Sequence, residues 1–109
     1  MHELALAESI VDAVMERVGD ARVATVRLRV GRLAAVLPDS LRFCFDVCAQ
    51  GTPLEGAALH IVDAPGRGAC RACGAEIEIG DLLARCPCGS AHVEVIGGEE
   101  LQLEAVEVM

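Results

Sequence analysis

The chain has no tryptophan, no tyrosine and no lysine, and its 109 residues include only two phenylalanines, Phe43 and Phe45. Each absence closes a class of reading. There is no pocket-forming aromatic set and no nucleophile–base constellation, so a small hydrolase or redox enzyme has little support. Without lysine, the basic side chains are nine arginines dispersed from Arg17 to Arg85, and the net charge is −8. Phosphate neutralisation needs clustered Lys and Arg, so a nucleic-acid role is not expected; a protein partner or a cationic cargo fits the charge better. No apolar run approaches the roughly 20 residues that cross a bilayer. No basic region followed by an apolar stretch and cleavage site marks a secretory signal. The expectation is a cytoplasmic protein without a membrane role, in a reducing compartment where thiols serve metals more often than disulfides.

Against these absences stands one concentration. Cys70-Arg-Ala-Cys73-Gly and Cys86-Pro-Cys88-Gly-Ser place four of the six cysteines within nineteen residues. Two Gly-containing turns, each carrying a pair of thiols, are a usual way to build a tetrahedral zinc site, with Zn–S distances of about 2.3 Å. A lobe of some thirty residues with so little large apolar content cannot fold on buried surface alone. Metal binding, on the order of 10 kcal/mol, would supply the difference. Disulfides and a redox Cys-x-x-Cys are the competing readings, but nothing looks secreted and the strand–helix context of a thioredoxin motif is missing. The second pair is one residue short of the first. His92 is therefore an alternative fourth ligand to set beside Cys70, Cys73, Cys86 and Cys88.

The hydrophobic fraction of 53% rests on Ala, Val and Leu and excludes a disordered chain. Leu4, Ala7, Ile10, Val11, Val14 and Val18 recur at helical spacing over residues 4–18, with Gly19 as the stop. Residues 22–30 switch to strand alternation, Ala24, Val26, Leu28 and Val30 against Thr25, Arg27 and Arg29. Pro38 opens a second helix that closes at Gly51, with Leu41, Cys44, Phe45 and Cys48 on one face. Core packing is favoured for Cys44 and Cys48 over a metal pair, and His60 is expected to be partly buried. Residues 57–62 form a strand, Ala64-Pro-Gly-Arg-Gly68 reads as a boundary, and 76–79 and 93–96 are short strands. A last strand, 101–108, returns to the main sheet with a slip in alternation between Leu103 and Val106. This predicts an α+β fold: two helices packed on a small three-stranded sheet, with an inserted zinc-binding lobe of short strands. The expected domains are 1–66 with 98–109, and the lobe 67–97.

Met1-His2-Glu3 is a potential chelator if the α-amine is free. The amine, the backbone amide nitrogen of His2 and its imidazole can close fused rings around a square-planar cation, with the amide of Glu3 as a fourth nitrogen. Such sites favour Ni(II) and Cu(II) over zinc. A solvated terminal histidine is the plainer reading, and Glu3 and Glu8 are more often solvated helix charge than ligands, Glu3 being also favourable near a helix N-terminus.

The whole pattern resembles the HypA/HybF family of nickel metallochaperones for hydrogenase maturation. The resemblance is carried by the Met-His-Glu start, Val30-Gly31-Arg32-Leu33, Leu41-Arg42-Phe43-Cys44-Phe45-Asp46, Glu55-Gly56-Ala57 and the four-cysteine lobe closed by Cys88-Gly89-Ser90. It implies a protein that is not an enzyme, with Ni(II) as cargo at His2, the Met1 amine and the Glu3 backbone. It also implies structural Zn(II) on the cysteine lobe, and delivery to the nickel–iron hydrogenase large subunit in cooperation with the GTPase HypB. Monomer and homodimer both stay open. The family usually has two spacer residues where this chain has Pro87 alone. A zinc-ribbon interaction module without nickel cargo is the alternative, and blocking the N-terminus separates the two.

Overall fold

Helical periodicity over residues 4–18 is realised as α1, Glu3–Val18, in a computed structural model that describes residues 3–80 and 84–109. Leu6, Ala7, Ile10, Val11 and Val14 are buried, positions that share one face at three- and four-residue spacing. Gly19 ends the helix in the left-handed region (φ +61°) and its N–H donates to the Met15 carbonyl at 2.9 Å. Glycine takes that conformation without the Cβ penalty. β1, Val23–Gly31, then buries Val26, Leu28 and Val30 on alternate positions.

The second helix, α2, spans Pro38–Ala49. Proline at its start gives up an N–H that has no intrahelical partner, and holds Leu37 extended ahead of it. Leu41, Phe45 and Ala49, four residues apart, are buried, whereas Phe43 points to solvent. The chain's two phenylalanines thus divide between core and surface. α1 packs against α2. Phe45, Leu28, Leu41, Leu54, Val14 and Val26 are the largest side chains shut off from water. β2 (Ala58–Ala64), β1 and a C-terminal strand (Leu101–Val108) form a sheet in which β1 is central. The expected slip is visible in that last strand, where Leu101, Leu103 and Val106 are the half-covered positions and Glu104 and Ala105 are both exposed.

Close contacts divide the chain into two compact units. One comprises Met1–Leu28, Val36–Val62 and Gln102–Met109; the other comprises Arg29–Ala35 and Asp63–Leu101. The second unit holds its own antiparallel sheet, in the order β4-β3-β5, built from β3 (Gly66–Cys70), β4 (Glu76–Ile79) and β5 (Val93–Gly97). The C-terminal strand is therefore β6. Gly66 pairs with Ile79, Ala69 with Glu76 on one side and Glu94 on the other, and Cys70 with Val93.

β3 runs where a boundary is expected from the sequence, at Ala64–Gly68. The Pro-Gly composition that suggests looseness serves close approach instead. A Cβ at Gly66 would strike the Ile79 carbonyl oxygen and the Leu33 side chain, and one at Gly68 would meet Val93. A 3-10 turn, Arg32–Ala34, brings Leu33 there. It is tied down by Leu33 N–H to Gly98 carbonyl and Gly31 N–H to Glu100 carbonyl, both 2.7 Å.

Candidate metal centre

β3 ends at Cys70, and the turn after it carries Cys73; a second turn ahead of β5 carries Cys86 and Cys88. Both turns close by the same pattern. In the first, the Gly74 N–H donates to the Cys70 carbonyl at 2.9 Å and the Cys70 N–H donates to the Ala75 carbonyl at 2.8 Å. In the second, Gly89 donates to the Cys86 carbonyl at 2.8 Å and Cys86 donates to the Ser90 carbonyl at 3.0 Å. Gly74 and Gly89 both sit at positive φ, +77° and +96°. Each follows the second cysteine of its pair, and only glycine reverses the chain there cheaply. The missing residue is absorbed by tightening a five-residue closure to four.

These turns bring the four sulfurs together, all within 4.8 Å of one another. Cys70 Sγ lies 3.7 Å from Cys88 Sγ, and Cys73 Sγ lies 3.6 Å from Cys86 Sγ. A tetrahedron with metal–sulfur bonds of about 2.3 Å has sulfur–sulfur edges of about 3.8 Å, whereas a disulfide bond is about 2.05 Å long. All six cysteines are free. These two spacings match a tetrahedral edge, so the four sulfurs could hold one metal ion. Cys70 and Cys86 are buried, and their partners Cys73 and Cys88 are exposed.

Local hydrogen bonding separates the two buried sulfurs. Cys70 accepts from the backbone N–H of Cys73; burial opposes ionisation, but a second amide, from Ala72, and the Cys73 and Cys88 thiols help bring it down to about 6. Cys86 accepts from the Cys88 N–H, yet burial and the three neighbouring sulfurs outweigh that bond and push it up to about 12. Position 87 is proline and has no N–H to give. The shorter turn thus supplies fewer amide donors, and a bound dication would take over the task of holding Cys86 as thiolate. Across the sheet, Arg71 pairs with Glu94 at 2.7 Å and Arg67 with Glu76 at 3.1 Å, both exposed.

The other sequence candidates separate from this centre. His92 is exposed, donates its backbone N–H to Ser90 Oγ at 3.0 Å, and has no ring nitrogen in the converging set. Cys44 and Cys48 lie half-buried on α2 outside that set. Burial, then the charges of Glu8, Cys44 and Asp12, raises the Cys48 thiol. His60 is exposed on β2 rather than partly buried, because its neighbours Leu59 and Ile61 take the covered positions. Glu3 is half-buried and its carboxylate accepts from the Ser40 hydroxyl at 3.2 Å, a link across 37 residues that no local motif announces. Met1 and His2 lie outside the described residues.

A family model described as hydrogenase/urease nickel incorporation, metallochaperone, HypA matches residues 1–108. A protein of Trichormus variabilis named hydrogenase maturation factor HypA is 48% identical over 108 residues, covering 99% of this chain and 96% of its own. The protein of the same name from Geobacter metallireducens is 41% identical over 109 residues, with 99% of each chain covered. Among solved structures, the solution structure of the Ni metallochaperone HypA from Helicobacter pylori superposes with a TM-score of 0.67 at 20% identity, covering 100% of this chain and 98% of that one. At that identity the likeness concerns the fold.

Proposed function

This chain belongs to the HypA family of nickel-incorporation metallochaperones of hydrogenase maturation, which are not enzymes, and from that premise we propose how it handles two metals. Nickel is the cargo. The Met1 amine, the His2 imidazole and the backbone nitrogens at His2 and Glu3 take Ni(II) in a square-planar chelate, a geometry that selects nickel against zinc. Zinc is resident. The thiolates of Cys70, Cys73, Cys86 and Cys88 hold Zn(II), which closes the lobe of residues 67–97 and offers no open coordination position. Residues 1–66 and 98–109 form the nickel-binding part. The cargo passes to the large subunit of a nickel–iron hydrogenase with the GTPase HypB as partner, in the cytoplasm.

The observation that carries this reading is the family match from residue 1 to residue 108, which takes in both the Met1-His2-Glu3 start and all four lobe cysteines. No helix among the described residues is long and apolar enough to cross a membrane. The test is a nickel titration of untagged protein against His2→Ala and against a variant extended at its N-terminus. Both changes remove a chelate nitrogen and should abolish specific Ni(II) binding without altering zinc content. Equal stoichiometry and affinity in all three would move the cargo site elsewhere and favour a zinc-ribbon interaction module.

A further inference from the structure

Of the seven large apolar side chains exposed among the described residues, four belong to the helix pair and its entry: Leu4, Leu37, Phe43 and Val47. Phe43 and Val47, one turn apart on α2, are 69% and 45% exposed, and Leu4 on α1 is 48% exposed. The exposed one of the two phenylalanines thus stands on a helix face opposite the one that buries Leu41 and Phe45. α1 lies alongside: Ser40 bonds Glu3 across the helix starts, and the charges of Glu8 and Asp12 bear on Cys48 farther along. The same two helices carry six carboxylates, Glu3, Glu8, Asp12, Glu16, Asp39 and Asp46, against two guanidiniums, Arg17 and Arg42. Arg42 is already occupied with Asp39 at 3.3 Å.

We propose that the outward face of α1 and α2 is a docking surface for a basic amphipathic segment of a partner protein. Apolar side chains of the segment cover Phe43, Val47 and Leu4 while its Lys or Arg residues meet the flanking carboxylates. An exposed apolar patch with a predominantly acidic rim marks an interaction site, and the rim selects the partner's charge. A second copy of this chain fits poorly, because a two-fold contact would set the acidic rim against itself.

The test titrates the full, zinc-loaded chain into two fluorescent helical peptides of about 18 residues, leucine on one face and either lysine or glutamate on the other. The lysine peptide should bind and the glutamate peptide should not. Phe43→Ser with Val47→Ser should weaken binding at least tenfold at unchanged net charge. Glu8→Gln with Asp46→Asn should weaken it severalfold and flatten its salt dependence. Glu99→Gln with Glu107→Gln, which removes as much charge elsewhere, should change it less than twofold. Circular dichroism checks each fold, with Val47→Thr replacing the serine if needed. Equal loss in the Glu99 and Glu107 variant, or no loss in the serine variant, would overturn the proposal. So would sedimentation showing a dimer that Phe43→Ser dissolves, since the occupant would then be a second copy.

Discussion

At the scale of single residues, the four lobe thiols are not equivalent, and the inequality has a sign. In the metal-free protein Cys70 is held down to about 6 by the amides of Cys73 and Ala72, while burial and neighbouring sulfur raise Cys86 to about 12. Metal binding needs both as thiolates. Cys86 must therefore release a proton on binding at every pH below about 12, whereas Cys70 does so only below about 6. Apparent zinc affinity should rise at least about tenfold per pH unit between 6.5 and 7.5 from Cys86 alone. Competition with a chelator whose own protonation is known measures it; a pH-independent affinity would show that Cys86 is already ionised. Metal-free stability receives two contributions of opposite sign. The depressed Cys70 stabilises the fold above its unfolded pKa, and this is lost as pH falls through about 6; the raised Cys86 favours the folded thiol and loses that support as pH climbs towards 12. The four cysteines were legible from their spacing because a metal site needs few residue types at short intervals. The amide donors of Ala72 and Cys73 carry no side-chain signal, and the Ser40–Glu3 bond depends on two helices being neighbours.

At the scale of elements, α1, β1, α2 and β6 follow from apolar periods that match their secondary structure, and most of the fold could be read from those alone. β3 could not. Its five residues, Gly66–Cys70, show no apolar alternation, and Pro65 and two glycines look like a hinge until Ile79, Leu33 and Val93 close around them. Gly66→Ala should therefore destabilise the second unit by about 1–3 kcal/mol through overpacking, read as earlier exchange of the β3 and β4 amides while α1 and α2 stay protected. Unchanged exchange would mean the sheet can shift to admit a methyl group. The short knuckle allows a second experiment on an element. One residue inserted after Pro87 would restore an amide donor and relax the four-residue closure at Gly89, so zinc loss to a competing chelator should slow. Faster loss would show that the tightened turn is itself the fitted geometry.

At the scale of the whole molecule, the two proposed metal sites draw on different kinds of ligand from separate places in the chain. Thiols converge in the second unit, whose buried apolar side chains are few among the described residues, Val30, Ala64 and Ile79 beside Cys70 and Cys86. The first unit buries Phe45, Leu28, Leu41, Leu54, Val14 and Val26, which is core enough to hold itself without metal. Chelation should thus melt one part and spare the other. Cys73→Ala should lose zinc and loosen residues 68–96 while the amides of α1 and α2 keep their protection. It should also keep nickel binding, because the nitrogen chelate proposed at the first three residues draws on no sulfur. Conversely His2→Ala should keep about one zinc per chain and lose nickel. In cells, His2→Ala should leave hydrogenase unmatured and be partly rescued by excess nickel, since its defect is capture. Cys73→Ala should resist that rescue if the lobe is needed for handing the ion on. Metal analysis of both purified variants, beside hydrogenase activity with and without added nickel, separates capture from delivery; nickel rescue of both variants alike would leave the zinc lobe with no part in the transfer.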